Sequence, residues 1–286
     1  IDAYDALENS VGMNEAISIQ KYKLYNTLNE PDKAMKEIQK LADKYPMEAR
    51  YQIVMGDLYL EKNDTDKALL CYNKAHEIDP SNPYYIVSMA NYNEIVGDKE
   101  AAETQIRSAL VNNDLDVDTK VNILSRYVVR LQQNKQDIEG ANTLFKTLLE
   151  QHPEETELKL MYGSLLAMQD KTEEARFQFQ LVTEMEPDNA GAWQQLLNLS
   201  LKADNMEEVK RICIKCQELF PNAPEYYFYL GIAHYQLKEY DKALETYQAG
   251  IRIIDKENTS QLSDFYGQIG DIYYQQKNVT KAYEAY

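Results

Sequence analysis

The sequence predicts an all-α chain, an array of about seven to eight stacked helix-turn-helix units, and three observations carry that prediction. First, small residues recur about every 34 positions at two places. One place holds Gly56, Ala90, Gly163, Gly231 and Gly270; the other holds Ala34, Ala68, Ala102, Ala141, Ala175, Ala243 and Ala282. A missing side chain at each contact lets two helix backbones approach closely, while flanking Leu, Ile and Tyr close the seam. Second, Pro46, Pro80, Pro153, Pro187 and Pro221 close successive units, because proline removes an amide donor and restricts the residue before it. Third, the apolar residues between these marks keep helical spacing. Such an array has no single core, since each unit buries its apolar face only against its neighbours.

Taken in order, residues 1–14 precede the first clear unit and read as the remnant of an earlier helix or as a cap. The first unit, 15–48, has Tyr22 where later copies have Gly, and Ala34, Ile38, Leu41 and Pro46 on its trailing helix. The second, 49–82, is the clearest copy and turns at Asn63-Asp64. The third, 83–116, enters its helix through Pro83 and turns at Gly97-Asp98. The fourth, 117–155, breaks the period: Ala102 to Ala141 is 39 positions, with extra residues around Asn112 to Thr119 and at Gln136. That insertion must lengthen a loop or a helix, and Val121, Leu124, Val128 and Leu131 still mark a leading helix. The fifth, 156–189, restores the pattern. The sixth, 190–223, replaces the small pair by Leu197 and Val209, which should push its two helices apart. The seventh, 224–257, is regular. A second insertion around Lys256 to Leu262 precedes the eighth, 263–286, which stops at Tyr286 within its trailing helix and so implies an array that continues further.

Within the clearest copy Gly56, Tyr59, Ala68, Tyr72, Ala75 and Pro80 stand at spacings that resemble the tetratricopeptide repeat, and the likeness covers nearly the whole chain. The resemblance implies a right-handed α-solenoid whose leading helices line a concave groove for a partner peptide or protein. Rich in Tyr, Asn and Lys, the chain also looks like bacterial tetratricopeptide proteins, some of them exported to the cell envelope. This leans toward periplasm or envelope and leaves cytoplasm open.

Composition sets further bounds. A formal charge of -17 argues against nonspecific binding to nucleic acid or anionic membrane, and no apolar run approaches the roughly 20 residues that span a bilayer. Cys213 and Cys216 form a Cys-x-x-Cys that invites a redox or zinc reading, but no second ligand pair accompanies it. They occupy the places of Tyr72 and Ala75, or of Phe179 and Val182, and so read as core. Asp114, Asp116 and Asp118 alternate like the start of a calcium loop, but Thr119 and Ser125 replace its required Gly and Glu, which leaves a solvated acidic loop. Trp193 sits at a leading-helix aromatic place and reads as packing. No catalytic motif, metal set or cofactor motif assembles, so the expectation is a protein that is not an enzyme and carries no cofactor.

Function is therefore expected in the groove. The family's groove positions fall on Ile53, Asp57 and Leu60; on Val87, Asn91 and Glu94; on Leu160 and Ser164; and on Gln194, Asn198 and Leu201. They continue on Phe228, Ile232, Tyr235 and Gln236, then on Asp271, Tyr274 and Gln275. The clamp that grips a partner's terminal carboxylate in chaperone-binding members is absent, with Val87 and Gln194 where its lysine belongs. Eleven of the 23 tyrosines lie between Tyr226 and Tyr286. Tyr beside Gln offers apolar area with hydrogen-bonding groups, suited to peptide or glycan, though compositional bias would also supply such tyrosines. The expected contacts are Asn91, Asn198, Phe228, Tyr235, Gln236, Tyr274 and Gln275, in a noncatalytic adaptor. The alternative is the recognition arm of a larger enzyme or envelope machine, and an array ending at Tyr286 also leaves room for self-association.

Overall fold

A computed structural model describes residues 1–133 and 139–286, all in helices and turns, with 17 helices and no strand among the described residues. The expected extra residue at Gln136 lies outside the described residues. The chain divides into two units, 1–153 and 154–286.

Unit 1 holds α1 (Asp2–Val11), then the pairs α2 (Glu15–Thr27) with α3 (Pro31–Lys44), α4 (Ala49–Glu61) with α5 (Thr65–Ile78), and α6 (Pro83–Val96) with α7 (Lys99–Val111), then α8 (Val117–Gln133) and α9 (Glu139–Gln151). Unit 2 holds α10 (Thr156–Met168) with α11 (Thr172–Met185), α12 (Ala190–Lys202) with α13 (Met206–Leu219), α14 (Pro224–Gln236) with α15 (Tyr240–Ile251), and α16 (Thr259–Gln275) with α17 (Val279–Ala285). Among the described residues, both sites of extra sequence are taken up partly by a longer helix and partly by the loop before it. α8 and α16 run 17 residues against 13 or 14 for the other leading helices. Residues 259–262, read above as connecting insertion, form the first turn of α16, where the Asn258 side chain accepts from the Gln261 amide.

The turns within pairs follow from single residues. Asn29, Asn63, Gly97, Asp170, Asp204, Lys238 and Lys277 all adopt positive φ, the left-handed step that ends a helix and reverses the chain. The residue after it, or one further on, then caps the next helix: the side chains of Asp64, Asp98, Asn205 and Asn278 each accept from an amide in the first turn, satisfying a donor the helix cannot. The acidic loop works the same way. Asp116 accepts from the Thr119 amide and hydroxyl, both at 2.8 Å, at the start of α8.

The seams obey volume complementarity. A Cβ on Gly56 would lie 2.3 Å from the Tyr72 ring, and Gly163, Gly231 and Gly270 face Phe179, Tyr247 and Tyr286 in the same way. Each of these four glycines thus makes room for an aromatic 16 residues on. Where the leading residue is larger the trailing one shrinks: Ala90 precedes Ile106, and Leu197 precedes Cys213. The α12 and α13 backbones run close together over less of their length than their neighbours', as Leu197 and Val209 lead one to expect. Nonetheless Leu197, Val209, Cys213 and Cys216 are fully buried. The Cys-x-x-Cys is two free thiols in the core, with burial pushing Cys216 up to about 12. Among the described residues no group of three or more His, Cys, Asp or Glu is placed to hold a metal ion, and no helix is long and apolar enough to cross a membrane.

α1 is attached to unit 1 by charge. No residue of α1 is buried, yet the buried Lys21 amine reaches Asp5 and Glu8 at 2.7 Å and Glu37 at 3.0 Å. Lys40 adds contacts to Glu8 and Glu37.

Candidate functional site

The leading helices of the two units present different chemistry. In unit 1 the face across α4, α6 and α8 holds a groove of about 500 Å³ lined by Asp57, Leu60, Glu61, Asn91, Glu94, Ile95 and Arg126. Its floor is not what the groove positions led one to expect. Ile53 and Leu60 are buried, each about 5% exposed. Ile53 packs with Ala49 and Ala75, and Leu60 with Ala68 and Tyr72, because a leading helix in a stack is flanked by two neighbours that cover its apolar sides.

Asp57 is half-buried and held inward. Its carboxylate accepts from the Tyr72 hydroxyl at 2.8 Å and also from Ser88. Burial raises its pKa, the two hydrogen bonds oppose that shift, and the Glu61 charge adds to it. Across the groove Glu94 is ion-paired with Arg130. Asn91, on α6 between them, is half-buried and also lines a small cavity with Val87, Ala90, Ile106 and Arg126.

In unit 2 the corresponding residues are mostly uncharged, Asp271 of α16 being the exception. Gln194 donates to Asn198 at 3.1 Å on the exposed side of α12. Phe228 is a packing residue more than a groove residue: its ring lies 5.2 Å from Phe265 and 6.1 Å from Tyr247. Tyr235 is half-buried and leans on Tyr240 at 5.7 Å, joined to the same apolar cluster. Gln236, Tyr274 and Gln275 are exposed, Tyr274 at 68%. The expected contacts are therefore divided. Asn91 belongs to the unit 1 groove, the other six lie in unit 2, and of those Asn198, Gln236, Tyr274 and Gln275 are open to solvent. Asp271 accepts from the Tyr286 hydroxyl at 2.6 Å, repeating the Asp57–Tyr72 pair.

Sequence reasoning passed over Glu61 and Arg126. Glu61 falls one turn after Asp57, and Arg126 lies in the lengthened α8, where the altered period hides the register. The signal available was the spacing of Arg126 and Arg130, four apart on one helix face. Trp193, in contrast, is buried and donates its indole N–H to the Pro187 carbonyl at 2.9 Å, which makes it a packing residue.

Comparison with known proteins gives a consistent result. Tetratricopeptide repeat models match residues 56–91, 134–199 and 224–256. The Hsp70-Hsp90 organizing protein of Triticum aestivum is 25% identical over 235 residues, covering 69% of this chain and 39% of that protein. Cellulose synthase operon protein C of Pseudomonas fluorescens is 28% identical over 125 residues, 42% of this chain and 10% of that protein. Among solved structures, MamA of Desulfovibrio magneticus aligns with a TM-score of 0.47 and 17% identity, covering 58% of this chain and 90% of that one. The chain thus spans about two-fifths of the length of the organizing protein and a tenth of the operon protein.

Proposed function

We propose that this chain, which belongs to the tetratricopeptide repeat family, is a noncatalytic scaffold that binds a protein or peptide partner along its leading helices. The observation that carries the reading is the mostly uncharged face of unit 2, whose Asp271 is already engaged by the Tyr286 hydroxyl. Asn198, Gln236, Tyr274 and Gln275 stand exposed there, with Tyr235 and Phe228 as the apolar backing. Amides and phenols on rigid helices supply hydrogen bonds and apolar area at low entropy cost. No residue is assigned catalysis and no cofactor enters.

Because Tyr235 is partly packed, the clean test pairs the exposed sites. Affinity capture with the Gln236→Ala/Tyr274→Ala variant is expected to lose the partner that wild type retains, with unchanged helical content and melting. Equal capture by both forms overturns this assignment. Tyr235→Phe keeps the ring contacts and removes only the hydroxyl, so it separates packing from recognition.

A second reading, the recognition arm of a larger enzyme or envelope machine, rests on the chain's spanning 39% of one relative and 10% of another. Self-association would draw on the exposed Val279, Tyr283 and Tyr286 at α17. Sedimentation of the Tyr283→Glu variant against wild type checks it, and equal sedimentation removes it.

A further inference from the structure

We propose that the unit 1 groove is electrically polarised, and takes an extended partner segment with a basic and an acidic side chain about six residues apart. The inference rests on the scaffold reading and assigns a class of segment to this groove. Its acidic edge is α4, where Asp57 and Glu61 stand one helical turn apart. Asp57 is engaged by Tyr72, whereas Glu61 is exposed and has no cationic partner among the described residues. Its basic edge is α8. There Arg130 is tied to Glu94 of α6, but Arg126 is exposed and has no carboxylate partner among the described residues. Between the edges lies the Asn91 amide, also unpartnered among the described residues, with the 54%-exposed Ile95 as apolar ground.

No ion pair joins Glu61 to Arg126 among the described residues, and both line the groove from the outer two of three successive leading helices. Neighbouring packed helices sit about 8–10 Å apart, which sets the axis-to-axis span from α4 to α8 at up to about 18 Å. Rigid helices hold both ends toward one groove of about 500 Å³, and each charge is left for an occupant. An extended chain advances about 3.3 Å per residue, which gives the separation of about six. Charge complementarity of this kind governs which segments are accepted more than it governs raw affinity.

The test uses the full chain and four ten-residue Gly/Ser peptides, acetylated, amidated and bearing a neutral fluorophore. The first carries Lys and Glu six positions apart and the second the same pair two apart; the others carry two Lys or two Glu at the wide spacing. Wild type is expected to bind the first about fivefold tighter than the rest, the scale of two exposed ion pairs. Glu61→Lys should move the preference to the Glu/Glu peptide and Arg126→Glu to the Lys/Lys peptide. The double variant should recover the wide Lys/Glu peptide in the opposite chain direction. All these sites are exposed, so circular dichroism should show the fold retained. Equal binding of the four peptides, no binding, or a double variant that fails to recover overturns the proposal. Indifference to the peptides combined with partner loss in Gln236→Ala/Tyr274→Ala leaves the scaffold reading standing. Discrimination among the peptides with partner capture unaffected by that variant removes the unit 2 assignment instead.

Discussion

Units 1 and 2 share one way of closing a helix pair and differ in what the leading helices show to solvent. Gly56 against Tyr72 in unit 1 and Gly231 against Tyr247 in unit 2 are the same contact, each with a Cβ clearance of 2.3 Å. The faces above them are unlike. Unit 1 presents Asp57, Glu61, Glu94 and Arg126, whereas unit 2 presents Asn198, Gln236, Tyr274 and Gln275. The difference teaches that the seam, being buried, is constrained by volume in every repeat, while the exposed face of the same helix is free to vary in charge.

The sharpest way to break that comparison is at the seam. Gly231→Leu drives a side chain into the Tyr247 ring and should cost about 3 kcal/mol or more, with Gly56→Leu equally severe. Gly231→Leu/Tyr247→Cys rebuilds the Leu197/Cys213 arrangement, and thermal melting should show it no worse than the single change. A double variant as unstable as the sum of its parts would remove volume complementarity as the rule.

Next in size is the charge that holds α1 to unit 1. Lys21→Met leaves Glu8 and the buried Glu37 with Lys40 alone and should cost about 2 kcal/mol, less than breaking a buried pair outright. Hydrogen exchange should show 2–11 losing protection while unit 2 keeps its own. The same attachment has a pH sign. Hydrogen bonding to Lys21 holds the Asp5 and Glu8 carboxyls below their ordinary values of 3.8 and 4.5. Their contribution is therefore present above those values and is lost as pH falls through the lowered ones.

Smaller again is the salt response of binding. Association in the unit 1 groove should weaken severalfold between about 0.05 and 0.5 M salt, since exposed charges are screened, while partner capture through unit 2 should hardly change. A salt-independent unit 1 would erase the contrast between the faces.

The smallest effect is at Asp57, where the pH sign is reversed. Burial raises its pKa above the ordinary 3.8, so its contribution is present below that value and is lost as pH rises through the raised one. Asp57→Asn keeps an acceptor for the Tyr72 hydroxyl and removes the charge. It should gain stability over wild type by up to about 1 kcal/mol as pH goes from 3.5 to 7, measured by denaturant unfolding.

Much of this was legible in the chain itself. Asn63-Asp64 and Gly97-Asp98 announced their turns, and the small residues and prolines announced the pairs, because those features depend on backbone conformation within a few residues. The candidate site was less legible. Phe228 looked like a groove residue and proved to pack on Phe265 and Tyr247, since one position of helical phase separates an open face from a seam. Arg126 went unseen because the lengthened α8 shifts the register on which the other groove positions were counted.

What the sequence by itself determined is the repeat: a period near 34, the turn residues and the small residues where helices meet. All of these are set by local sterics and by volume. What only the tertiary structure decided is which polar groups are already spent and which remain free. Asp57 is engaged by Tyr72 from the next helix and Glu94 by Arg130 from two helices on, while Glu61 and Arg126 have no such partner. Hydrogen bonds and ion pairs between helices depend on distances of a few ångströms that residue spacing along the chain does not encode.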